Sequence, residues 1–124
     1  MKYLMVLFLG LLILTGCSLT DVGFSVMSSQ DAYELVASGA DVVVLDVRSE
    51  SEFLRGHVAG AMLLPAPTIE AEAERLLLDK EAVILVICQS GNRSRTASRT
   101  LANLGYTNVY DIGGIMSWPG EIVN

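Results

Sequence analysis

The residues best suited to chemistry are Cys88-Gln89-Ser90-Gly91-Asn92-Arg93-Ser94. The apolar run Ala82–Ile87 precedes them and a helix-compatible segment follows. A buried strand is therefore expected to end in a cysteine, a tight polar loop and a helix N-terminus. In such a turn several backbone N–H groups converge, joined by the positive end of the helix dipole. A thiol at that point is poised as a thiolate, and a bound anion is held by the same donors. Cys88 is thus the candidate nucleophile, and the backbone of Gln89, Ser90, Gly91, Asn92, Arg93 and Ser94 is its candidate anion cradle. An isolated cysteine at a strand end is commonly plain core; the polar loop and helix start favour chemistry here.

The elements that must position this loop can be read along the chain. Phe24–Met27 alternates weakly, as a first strand would, and Ser28 with Asp31 three residues later resembles a helix start. Ala32, Leu35 and Val36 supply that helix with an apolar face, and Gly39 supplies its stop. Val42–Leu45 is a valine-rich apolar run of the kind buried on both faces of a sheet. Ser49–Arg55 is polar and helix-compatible, and Met62–Leu64 is a brief strand stopped by Pro65 and Pro67. From Thr68 a further helix places Ile69, Ala73, Leu76 and Leu77 on one face, with Glu70, Glu72 and Glu74 directed to solvent. After the loop, Ala97, Leu101 and Leu104 share a helix side that Gly105 ends, and Val109-Tyr110 is a last short strand before Gly113-Gly114 and Trp118. Strands alternating with helices predict an α/β fold with a central parallel sheet of about five strands and helices on both faces. Ligands of such sheets bind at the carboxyl ends of the strands, where Cys88 falls.

Length and composition narrow the classes. The chain has 124 residues, enough for one small domain, and 52% of them are hydrophobic. Much of that excess lies in Leu4–Leu14, an apolar run broken only by Gly10 and preceded by Lys2. It is shorter than the ~20 residues of a transmembrane helix and matches the core of a signal peptide. Its end, Leu14-Thr15-Gly16-Cys17, resembles the lipobox of bacterial lipoproteins. That resemblance implies a signal peptide over residues 1–16, Cys17 as the lipidated first residue of the mature chain, and a short tether over 17–23. It also implies an extracytoplasmic domain over 24–124, held at a bacterial membrane by its lipid anchor rather than spanning it. Without Lys2, seven of the eight basic residues face fourteen acidic ones, a balance that disfavours nucleic-acid binding. With Cys17 acylated, Cys88 is the one remaining thiol, so neither an internal disulfide, a CxxC redox pair nor a zinc site can form.

Three signatures together resemble the rhodanese family, in its small single-domain form, from about Ser25 to Gly120. The first is Asp46-Val47-Arg48 followed by Glu52-Phe53, then Gly56-His57-Val58-Ala59-Gly60-Ala61 and Pro65. The second is the Cys88–Ser94 loop, and the third is Gly105-Tyr106-Thr107-Asn108-Val109-Tyr110 with Gly113-Gly114 and Trp118. The resemblance implies a sulfurtransferase that carries sulfane sulfur as a Cys88 persulfide. The sulfur passes from a small anionic donor such as thiosulfate to a thiol or cyanide acceptor, with no metal or organic cofactor. The alternative is a non-catalytic sulfur-binding or partner-docking module on the same scaffold.

Loop length bears on the choice. Cys88 to Arg93 is a C-x4-R pattern, whereas related phosphatases and arsenate reductases carry C-x5-R, a wider cradle for a tetrahedral oxyanion. Sulfur transfer is therefore preferred to phosphate or arsenate chemistry. Asp46 and Arg48 are expected to form a structural ion pair near the loop. Arg93 is a donor-anion contact, a partner that stiffens the loop or a solvated loop cation, and Arg95 and Arg99 either bias the local field toward anions or pair with acids elsewhere. His57, the single histidine, falls in a structural turn by the same resemblance. The two-domain thiosulfate enzymes of the family carry cations where this chain has Ser90 and Glu52, a departure that bears on thiosulfate as donor.

Overall fold

The structure is a computed structural model that describes residues 23–124; Cys17, the signal-peptide reading and nearly all of the tether lie outside the described residues. Eleven elements follow one another: β1 (Ser25–Val26), α1 (Ser29–Ala37), β2 (Val42–Asp46), α2 (Glu50–Arg55), β3 (His57–Val58), β4 (Met62–Leu63), α3 (Ile69–Leu76), β5 (Val83–Cys88), α4 (Asn92–Asn103), β6 (Asn108–Gly114) and β7 (Ile122–Val123). Short 3-10 turns occupy Ala66–Thr68 and Ile115–Ser117.

Five strands form one parallel sheet in the order β1-β6-β5-β2-β4. Strand β5 is central, and its Ile84, Leu85, Val86 and Ile87 are all fully buried, as expected of a strand covered on both faces. On one face β5 residues Ile84 and Val86 pack with Ile69, Ala73 and Leu77 from the α3 segment and Ala97 and Leu101 of α4. On the other, Leu85 and Ile87 pack with Ala32 of α1 and with Trp118. The α/β architecture and the two-sided covering agree with the sequence pattern.

Local chemistry accounts for the boundaries. The Ser28 side chain accepts the Asp31 N–H at the start of α1, and Gly39 takes φ +83° just past its end. Three expectations are corrected. Leu76 is 39% exposed, because the buried stripe of α3 runs Ile69, Ala73, Leu77 at intervals of four and leaves Leu76 on its flank. The last strand of the sheet is β6, seven residues long, because pairing with β5 and β1 carries it through Gly113-Gly114. An unforeseen two-stranded antiparallel sheet pairs β3 with β7, Val58 opposite Ile122; two-residue strands carry no periodicity to read. Among the described residues no helix is long and apolar enough to cross a membrane.

Candidate active site

The carboxyl end of β5 delivers Cys88, whose residue is 1% exposed. The chain then turns through Gln89 and Ser90 to Gly91, the residue before α4, which takes φ +110°. That left-handed conformation favours glycine, and the Gly91 N–H donates to Cys88 Sγ at 2.9 Å. No side chain caps α4. Asn92, Arg93 and Ser94, read from the sequence as loop, are therefore the first turn of a helix. Their N–H groups belong to the set that a helix leaves without intrahelical acceptors.

Strand β6 seats the loop. Val86 pairs with Asp111 but Cys88 pairs with Gly114, so β6 carries one residue more than β5 over this interval. This is a bulge, with Gly113 at φ +85° and its N–H donating to Asp111 Oδ1 at 3.0 Å. The bulge presses Gly114 against the loop so closely that a Cβ there would lie 2.2 Å from the Gln89 carbonyl oxygen. The buried Ser94 hydroxyl lies 2.6 Å from Asp111 Oδ1 and 3.0 Å from the Gly91 carbonyl oxygen, and its one proton goes to the nearer, charged acceptor. Asp111, 4% exposed, thus ties the bulge to the first turn of α4. Sequence reasoning passed over it; the available signal was a lone acid inside an apolar strand, next to a glycine pair.

Asp46 and Arg48, both buried, meet at the carboxyl end of β2. Arg48 Nε donates to Asp46 Oδ1 at 2.9 Å and its NH2 to Oδ2 at 2.7 Å. The same guanidinium donates to the Gly56 carbonyl oxygen at 2.7 Å and reaches Gln89 Oε1 at 3.4 Å. A buried pair held by further hydrogen bonds is rigid; here it links β2, the end of α2 and the cysteine loop.

Arg93 is half-buried and paired. Its NH1 and NH2 donate to Glu52 Oε1 and Oε2 at 2.7 and 2.9 Å, joining α4 to α2. Glu52 also completes a capping box, accepting the Ser49 N–H at 3.0 Å while Ser49 Oγ accepts the Glu52 N–H. The Arg93 hydrogen bonds, then the Ser49 N–H, hold the Glu52 carboxyl well below its usual range. Glu52 in turn pushes the Arg93 guanidinium up, against the effect of burial.

An open cleft of about 540 Å³ adjoins the loop, lined by Arg48, Glu52, Arg55, Gly56, Gln89, Ile115 and Ile122. His57 lies apart from this chemistry: its Nδ1 is 2.8 Å from the Phe53 carbonyl oxygen and its ring stacks on Phe53. Arg95 and Arg99 are exposed on α4, and Arg99 lies over the Phe24 ring.

A family model described as Rhodanese-like domain matches residues 28–121. The chain belongs to the rhodanese-like family. It is 37% identical over 103 residues to a thiosulfate sulfurtransferase GlpE of Pseudomonas entomophila, covering 79% of this chain and 91% of that one. It is 33% identical over 87 residues to the putative sulfur carrier protein YrkF of Bacillus subtilis, covering 69% of this chain but 46% of that protein. The rhodanese-related protein of Thermoplasma volcanium has a similar solved structure, with TM-score 0.70 and 30% identity over 80% of this chain and 97% of its own. Three features contact the cysteine loop here: the Gly91 N–H, the β6 bulge and the Arg48 pair. Only the last was legible as a pair in the sequence.

Proposed function

We propose that the protein is a sulfurtransferase that carries sulfane sulfur as a persulfide on Cys88. One observation carries the reading: the Gly91 N–H is donated to Cys88 Sγ at 2.9 Å, at the start of a helix without a side-chain cap. A backbone N–H aimed at sulfur holds the negative charge that attack requires. The Cys88 thiolate attacks the outer sulfur of a donor such as thiosulfate. A sulfur–sulfur bond forms to Cys88, the donor's own sulfur–sulfur bond breaks, and sulfite leaves with the electron pair. An acceptor thiolate or cyanide then attacks the terminal sulfur and releases the Cys88 thiolate. The first-turn amides of α4 hold the charged donor and afterwards the terminal sulfur.

Kinship to thiosulfate sulfurtransferases supports this reading, and kinship to a putative sulfur carrier favours a second one, a carrier that loads sulfur without turning over. In both, Cys17 is the lipidated residue that holds the domain at the outside of a bacterial membrane. Cys88→Ser is expected to abolish thiosulfate-to-cyanide transfer while the far-ultraviolet dichroism stays unchanged; retained turnover refutes the mechanism. Mass spectrometry of the chain isolated from membranes is expected to find acylated Cys17 and, after thiosulfate, one added sulfur on Cys88. Loading without release to any acceptor identifies a carrier, and a mature chain that keeps residues 1–16 refutes the anchor.

A further inference from the structure

The charges around the cleft do not suit a small inorganic dianion. Arg48 is neutralised by Asp46 at 2.7 Å. Arg93, at the start of α4 and thus near the nucleophile, is held by both oxygens of Glu52. Glu52 lines the cleft and Arg93 does not. The wall therefore presents a carboxylate in front of the cation that would otherwise meet an anion. Arg55 is the one cation lining the cleft that makes no ion pair among the described residues. The lining also includes two apolar side chains, Ile115 and the 45% exposed Ile122. At about 540 Å³ the cleft has the size of sites that take organic ligands.

We infer that Glu52 is a donor-specificity residue, which turns the site away from doubly charged donors such as thiosulfate and toward singly charged organic sulfane-sulfur donors. Such a donor places its one charge near Arg55 and its carbon group on Ile115 and Ile122. With a thiosulfonate anion, the Cys88 thiolate attacks the outer sulfur, the donor's sulfur–sulfur bond breaks, and the organic sulfinate leaves with the electron pair. One negative charge rather than two then faces the Glu52 carboxylate. The inference rests on the sulfurtransferase reading of Cys88.

The probes are thiosulfate and methanethiosulfonate, which differ by one charge and one carbon, each assayed as kcat/KM for cyanide sulfuration. Glu52→Gln keeps a residue that serves in a capping box and removes the charge. It is expected to raise the ratio of thiosulfate to methanethiosulfonate kcat/KM by roughly tenfold. Adding Arg93→Gln to that variant is expected to cancel the rise, because the freed guanidinium causes it. In the unaltered protein the same ratio should climb with ionic strength as the carboxylate is screened, a measurement independent of whether any variant folds. A ratio unmoved by Glu52→Gln and by salt overturns the specificity role while leaving sulfur transfer intact. Failure of the unaltered protein to take sulfur from either donor overturns both.

Discussion

Helices α2 and α4 both begin beside the cysteine loop, and they begin in opposite ways. At α2, Ser49 and Glu52 satisfy one another's backbone N–H groups in a reciprocal box. At α4 the preceding residue is Gly91, in a left-handed conformation and without a side chain to offer. Capping with Ser, Thr, Asp or Asn is worth about 1 kcal/mol, so α4 forgoes stability that α2 takes. Among the N–H groups left over, that of Gly91 meets Cys88 Sγ. The capped helix contributes its carboxylate, which keeps its place in the cap and at the same time binds Arg93 of the uncapped one. The difference teaches that the candidate site lies where a side-chain cap is withheld, and that the neighbouring helix anchors the turn left uncapped.

The comparison can be broken most severely from β6. Gly114→Ala would set a Cβ 2.2 Å from the Gln89 carbonyl oxygen, and neither backbone can yield without moving the loop. A displacement near 1 Å at a reacting centre costs about a hundredfold in rate. Persulfide formation on Cys88, followed by mass spectrometry, is expected to slow on that scale while the helical dichroism persists; a near-normal rate would mean the bulge does not seat the loop. Gly91→Ala comes next. A side chain at φ +110° costs about 1–2 kcal/mol, read as a lower urea midpoint, and withdraws the N–H from sulfur. Sulfur loading is expected to fall by roughly tenfold, the scale of one lost charge-assisted hydrogen bond. Unchanged loading in a destabilised variant would assign Gly91 to the fold alone.

The smallest effect lies at the capped end. Glu52 has an ordinary pKa of 4.5 that Arg93 lowers in the folded chain. A lowered carboxyl stabilises the folded state fully above that ordinary value and loses its contribution as pH falls toward the folded one. The stability gap between the unaltered protein and Glu52→Gln is therefore expected to be widest near neutrality and to shrink between pH 5 and pH 3 (urea midpoints at each pH would measure it). Arg93 is 40% exposed, so solvent screening holds the gap to about 1 kcal/mol or less. A gap that widens on acidification would contradict the pairing.

Local pattern determined much of this protein. The valine-rich run at Val42–Leu45 and the apolar run ending at Ile87 required buried parallel strands, because a strand covered twice has no polar face to show. Glycine and polar residues after Cys88 required a turn into a helix. The rhodanese signatures single out Cys88 as the candidate nucleophile. What no local pattern contains is which distant groups meet. Glu52 reads as one acid on a polar helix, and only the packing of α2 beside α4 sets it against Arg93 across 41 positions. Asp111 reads as an interruption of a strand, and only the β5–β6 register sets it against Ser94. Gly114 reads as one of a glycine pair after a short strand, and its need for no side chain arises from Gln89 pressing against it. Sequence fixes what each segment can form because backbone geometry and burial act within a few residues. The charge and shape presented to a donor are sums over segments, and those exist only once the sheet has brought them together.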